Sequence, residues 1–70
     1  MAERQTGQAE KFFRQAVALD PDFANAHSNL AVIYFQKKQY RLAVKSAARA
    51  KELGMDNENL SRSLEKYREP

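Results

Sequence analysis

Residues 24–53 read ANAHSNLAVIYFQKKQYRLAVKSAARAKEL, and their apolar positions step by three or four. Leu30, Ala31, Ile33 and Tyr34 form one such series; Tyr40, Ala43, Val44, Ala47, Ala50 and Leu53 form a second. That period sets each series on one side of an α-helix. The residues between them are polar and few, enough for a turn and no more. Ala43, Ala47 and Ala50, with Ala31 opposite, carry only methyl groups, so the two backbones must approach closely. The segment is predicted to be a tightly packed antiparallel helical hairpin.

The flanks extend the pattern. Ala9, Phe12, Phe13, Ala16, Val17 and Leu19 give a wide apolar face to a preceding helix, and the polar residues 1–7 form a flexible N-terminus before it. Asp20 precedes Pro21, whose ring clashes with a helical residue before it, so this helix stops near Leu19. Asp22 is the expected cap of the next helix, about 23–37, since a short carboxylate accepts bonds from unpaired amides. The third helix, about 39–53, ends at Gly54, a residue suited to the left-handed turn that closes helices. Asp56 or Asn57 then caps a fourth, 57–68, where Leu60, Leu64 and Tyr67 make a narrow apolar stripe among Arg62, Glu65, Lys66 and Arg68. The expected fold is all-α, with about four helices in one domain spanning residues 8–70.

The chain also repeats itself. Shifted by about 34 residues, Gln5 meets Gln39, Ala9 meets Ala43, Lys11 meets Lys45, Ala16 meets Ala50 and Leu19 meets Leu53. Asp22 meets Asp56, Asn25 meets Asn59 and Leu30 meets Leu64. Chance gives roughly two such matches. Leu30 with Ala31, Tyr34, Ala43 and Ala50 fall at the spacings of the tetratricopeptide repeat, which this chain resembles over nearly its whole length. The resemblance implies a fragment of an α-solenoid: the second helix of a partial repeat at 8–20, a complete repeat at 22–54, and a closing helix at 57–68. It also marks departures. Members of that family usually carry Gly where Lys38 stands; either Lys38 adopts a positive φ at about 1 kcal/mol, or the turn differs. Met55 stands where Pro21 stood one repeat earlier.

Totals limit the remaining choices. With 43% apolar and 30% charged residues the composition is globular, and the longest apolar run, residues 31–35, is too short to span a bilayer. No apolar stretch opens the chain as a secretory signal would. The absence of cysteine removes disulfides, thiol catalysis and Cys-type zinc sites. A cytoplasmic location is the default expectation. The formal charge of +3 biases the chain mildly towards acidic partners.

Little here suits catalysis. His27 has no Cys, Asp or second His at metal or relay spacing, and it occupies the slot where the resembled family places a large aromatic; it is expected to pack. Gly7 and Gly54 form no phosphate-cradling loop. Ser28, Ser46, Ser61 and Ser63 lack a nucleophile's surroundings, and Asp20 and Asp22 belong to a capping turn. No enzyme activity, metal or cofactor is expected.

Binding is the expected role. The resemblance implies a protein–protein interaction module, with an inner groove that takes an extended peptide or a partner helix. That groove would display Asn25, Ser28, Asn29, Val32, Phe35 and Gln36, joined by Asn59, Arg62, Ser63 and Lys66 from the last helix. Asn29 is implied to grip a peptide backbone, because its amide both donates and accepts. Some family members clamp a terminal carboxylate with inner-face cations, but here Asn59 and Ser63 stand where those cations would be.

Two alternatives remain. Ala9, Phe12, Phe13 and Ala16 lack a preceding helix to cover them, and leaving two phenylalanines exposed costs roughly 1.5–3 kcal/mol each. The chain then belongs to a longer array or pairs with a second copy through that face. Arg41, Lys45 and Arg49, spaced by four beside Lys37 and Lys38, form a basic row that would meet phosphates if it is more than a solvated face. No aromatic interleaves it, so nucleic acid is the weaker expectation.

Overall fold

The computed structural model describes residues 2–67, with side chains from Gly7 onward. Four helices follow one another: α1 (Ala2–Leu19), α2 (Ala24–Gln36), α3 (Tyr40–Glu52) and α4 (Glu58–Leu64), the last running into a 3-10 turn, Glu65–Tyr67. The described residues contain no strand. Helices α2 and α3 make the most extensive packing; α1 lies against α2, and α4 against α3. The stack is only 17 Å across its thin dimension, against 32 Å and 27 Å in the others.

Small side chains set that packing. Ala26, Ala31 and Ala43 are wholly buried, and Ala50 nearly so. Around them close Leu30, Ile33, Tyr34, Leu60 and Leu64, each large side chain contributing about 1.5–3 kcal/mol by leaving water. Leu64 is the largest side chain fully removed from solvent, as a thin stack dictates. The alanine stripe read from the sequence is thus the seam of the hairpin.

Both helices of the hairpin end in the same motif. The Gln39 amide donates to the Tyr34 carbonyl at 2.8 Å and the Lys38 amide to that of Phe35 at 3.0 Å. One helix later the Met55 amide donates to Ala50 at 2.8 Å and the Gly54 amide to Lys51 at 3.0 Å. These paired bonds satisfy carbonyls left over at a helix end, and they require one left-handed residue. It is Lys38 in the first case, φ 64°, and Gly54 in the second, φ 96°. The turn geometry expected from the repeat is therefore kept, although lysine replaces glycine.

The structure corrects three boundaries. First, the expected flexible segment 1–7 is helical from Ala2, Met1 lying outside the described residues. Residues 2–5 are strong helix formers, and they offset the roughly 1 kcal/mol that Gly7 costs inside a helix. Second, Asp22 is not the cap of α2: Phe23 holds that position, and no side chain caps it. Asp20 shapes the loop instead. Its Oδ1 accepts from the Asp22 amide at 3.2 Å and its carbonyl from the Phe23 amide at 3.0 Å. Third, the closing helix is shorter than the expected 57–68. Its cap is Asn57, whose Oδ1 accepts from the Leu60 amide at 3.1 Å, but α-geometry gives way to the 3-10 turn after Leu64. Arg68 lies outside the described residues.

Candidate functional site

Helix α2 is the element that presents the expected groove. Its buried side, Ala26, Leu30, Ala31, Ile33 and Tyr34, is taken up by α1 and α3. Asn25, Ser28, Asn29, Val32, Phe35 and Gln36 occupy the remaining positions, from half-buried to exposed. Val32 and Phe35 lean on the core cluster and so are walls rather than projecting contacts. Asn29 folds back on its own helix: Nδ2 donates to the Asn25 carbonyl at 2.9 Å and approaches Asn25 Oδ1 at 3.5 Å. To grip a peptide its amide must turn away from Asn25.

One open cleft joins α2 to the closing segment. It encloses about 610 Å³ and is lined by Phe35, Arg62, Ser63, Glu65, Lys66 and Tyr67. The structure therefore brings Phe35 together with Arg62, Ser63 and Lys66. Asn25, Ser28, Asn29, Val32, Gln36 and Asn59 do not line it.

Aromatic rings form the floor of this region. Tyr40 and Tyr67 stack face to face, centroids 3.9 Å apart and planes 3° from parallel. Phe35 meets Tyr40 edge-on at 5.6 Å. The Lys66 ammonium lies 5.3 Å from the centre of the Tyr67 ring, within cation–π range. A hydrogen bond with Tyr67 raises the Tyr40 pKa above its ordinary value, with loss of solvent adding to the effect. Sequence reasoning placed Tyr40 and Tyr67 in separate apolar stripes. Their period was readable, but not that the 3-10 turn would lay one ring on the other.

The basic row divides. Arg49 is held by Asp22 at 2.9 Å and Glu52 at 3.2 Å, tying the α1–α2 loop to the end of α3. Lys37 pairs with Glu10 at 2.6 Å, and Arg14 stands 3.6 Å from the same carboxylate. Arg41 and Lys45 instead flank a second cleft of about 430 Å³ with Val44 and, again, Tyr67.

The face of α1 sorts its residues too. Phe13 packs on the core cluster, whereas Phe12 is 63% exposed, touching Phe13 edge-on at 5.2 Å. Consecutive helical residues point about 100° apart, which lets Phe13 turn to the core while Phe12 faces outward. Phe13 is therefore corrected out of the open surface. Leu19, at 88% exposure, lies on the Phe12 side with half-buried Ala9 and Ala16. His27 is half-buried, and its Nε2 lies 2.8 Å from the Pro21 carbonyl. A carbonyl only accepts, so Nε2 carries the proton and the ring fastens the Asp-Pro loop to α2.

Among the described residues no cluster of His, Asp or Glu is arranged to hold a metal ion, and no helix is long and apolar enough to cross a membrane. The family model for the tetratricopeptide repeat matches residues 1–66. No curated protein and no solved structure matches the chain.

Proposed function

From a chain that belongs to the tetratricopeptide repeat family, we propose a protein-interaction module that holds a peptide or partner segment against α2 and α4. Repeats of this family are generally non-catalytic scaffolds, so a protein partner is the family-level expectation. One observation supports this particular surface: the cleft where Phe35 of α2 and Tyr67 stand beside Arg62, Ser63, Glu65 and Lys66, apolar wall beside charged rim. Asn29 and Asn25 extend that surface along α2, as peptide-backbone contacts once Asn29 releases its local bond. The cytoplasm is the location that suits such a module.

The test is a peptide library displayed on phage and selected against the intact chain. A consensus should emerge whose affinity falls at least about tenfold when Asn29→Ala and Arg62→Ala are combined, with helicity unchanged. Enrichment no better than on an unrelated helical protein would remove the proposal. So would a consensus indifferent to both substitutions.

A second reading is favoured by exposed Phe12 and Leu19. With Ala9 and Ala16 they alternate small and large along α1, so an antiparallel copy would set Phe12 against Ala16 and Leu19 against Ala9. The same face would equally stack on a preceding helix in a longer array. A polyanion site along Arg41, Lys45 and Arg49 is the weakest reading, because Asp22 and Glu52 already neutralise Arg49.

A further inference from the structure

We propose that Tyr40 and Tyr67 form an oxidative cross-linking site, where one-electron oxidation joins the two rings by a carbon–carbon bond and staples the closing turn to α3.

The two rings lie 3.9 Å apart, centroid to centroid, with planes 3° from parallel. Aromatic pairs usually tilt or slide to centroid distances of roughly 4.5–7 Å, so this pair is close as well as face to face. The hydrogen bond between the side chains sets both hydroxyls at the same end of the stack. The carbons ortho to each oxygen therefore face one another across about one ring spacing. In a tyrosyl radical the unpaired electron is shared between the oxygen and those ortho carbons, so they are the atoms that couple. Holding them near contact turns an encounter between two radicals into a step within one molecule.

The surroundings suit the reaction. Phe35 steadies Tyr40 edge-on at 5.6 Å, and both tyrosines pack on the core cluster. Tyr67 also borders two open clefts, which admit solvent and give its ring room to turn out of the stack as the bond forms. The chain has no cysteine, so a disulfide cannot supply such a staple. Of its three tyrosines the remaining one, Tyr34, is buried at 8% exposure.

The oxidant is hydrogen peroxide acting through the one-electron steps of a haem peroxidase. Each phenol gives up one electron and one proton, and the two radicals form the bond between ortho carbons. Each of those carbons then passes its hydrogen, as a proton, to its own phenol oxygen, which restores both aromatic rings. The peroxide takes up the two electrons and two protons and leaves as two waters. The new bond closes the loop from residue 40 to residue 67 and fixes the turn Glu65–Tyr67 on the first residue of α3, lowering the entropy of the unfolded chain.

The experiment treats the full chain with a haem peroxidase and dilute hydrogen peroxide. The expected product is a monomer lighter by two hydrogens, with dityrosine fluorescence, whose digest links the peptide of Tyr40 to that of Tyr67. Its fraction should hold over about a hundredfold dilution, because both partners belong to one chain. Tyr34→Phe should keep the yield, whereas Tyr40→Phe and Tyr67→Phe should each lower it at least about tenfold. Oxidation of exposed Met55 adds oxygen, so mass separates it from the cross-link. Wild type oxidised in urea tests the geometry without any substitution, and its yield of the Tyr40–Tyr67 link should also fall. Three results overturn the proposal: cross-links only between chains, an unfolded chain that couples these tyrosines as well as the folded one, or a linked monomer whose thermal midpoint does not rise.

Discussion

Lys38 and Gly54 end successive helices in the same left-handed conformation, at φ 64° and φ 96°. The paired amide bonds around them are the same, so the motif tolerates lysine where glycine is the cheaper residue. Lys38→Gly should therefore raise stability by up to about 1 kcal/mol, offset in part by the looser unfolded chain. Gly54→Ala should lower it by about 1 kcal/mol; open space surrounds the glycine, so backbone strain alone is at work. Urea unfolding of both variants measures the pair, and opposite signs are the expected result.

Ala43 is wholly buried on α3, the helix that packs most extensively against α2. Ala43→Leu should overfill the seam and destabilise the chain by about 1–3 kcal/mol. An unchanged thermal midpoint would show that the helices stand farther apart than the structure has them.

Asn57 caps the short closing helix through its side-chain oxygen. Asn57→Ala should cost about 1 kcal/mol and loosen α4. Faster amide exchange at Leu60 and Leu64, relative to Leu30, is the local signature to measure.

The Tyr40 hydroxyl keeps its proton more tightly in the fold than in the open chain, because of its bond with Tyr67. In the window above the ordinary tyrosine pKa the unfolded state loses that proton first. Stability from this pair is then complete below that pKa and declines as pH rises through the folded value. Tyr67→Phe removes the bond, so the alkaline decline should flatten in the variant. Denaturant titrations at neutral and alkaline pH, run on both chains, provide the comparison.

Leu19→Glu tests the open side of α1. If copies pair there, sedimentation should shift from a concentration-dependent average to a strict monomer, with helicity retained. A wild-type chain that is monomeric at every concentration leaves α1 for a different occupant and ends the self-pairing reading.

Periodicity was enough to locate the hairpin, because Ala31, Ala43 and Ala50 leave no alternative to close helix contact. Self-similarity located the repeat. Gly54 was legible, and Asn57 as one of two candidates with Asp56, through backbone chemistry that acts within a few residues. What escaped the sequence depended on contacts between distant segments. Arg49 looked like part of a basic row until Asp22, far away in the chain, was seen to reach it. Tyr40 and Tyr67 could be assigned to stripes, but their stacking depends on the tightening of the chain after Leu64. Phe12 and Phe13 share the wide apolar face that the spacing gives α1, and it is the packing of Phe13 on the core cluster that separates them.

The unequal ends of the stack give the module a direction. Leu60 and Leu64 are spent on the core, and Arg62, Ser63, Glu65 and Lys66 around them are hydrophilic and exposed. At the opposite end, Leu19 and Phe12 leave an apolar surface open on α1. A helix added against α1 would therefore bury more apolar surface than one added against the outer side of α4.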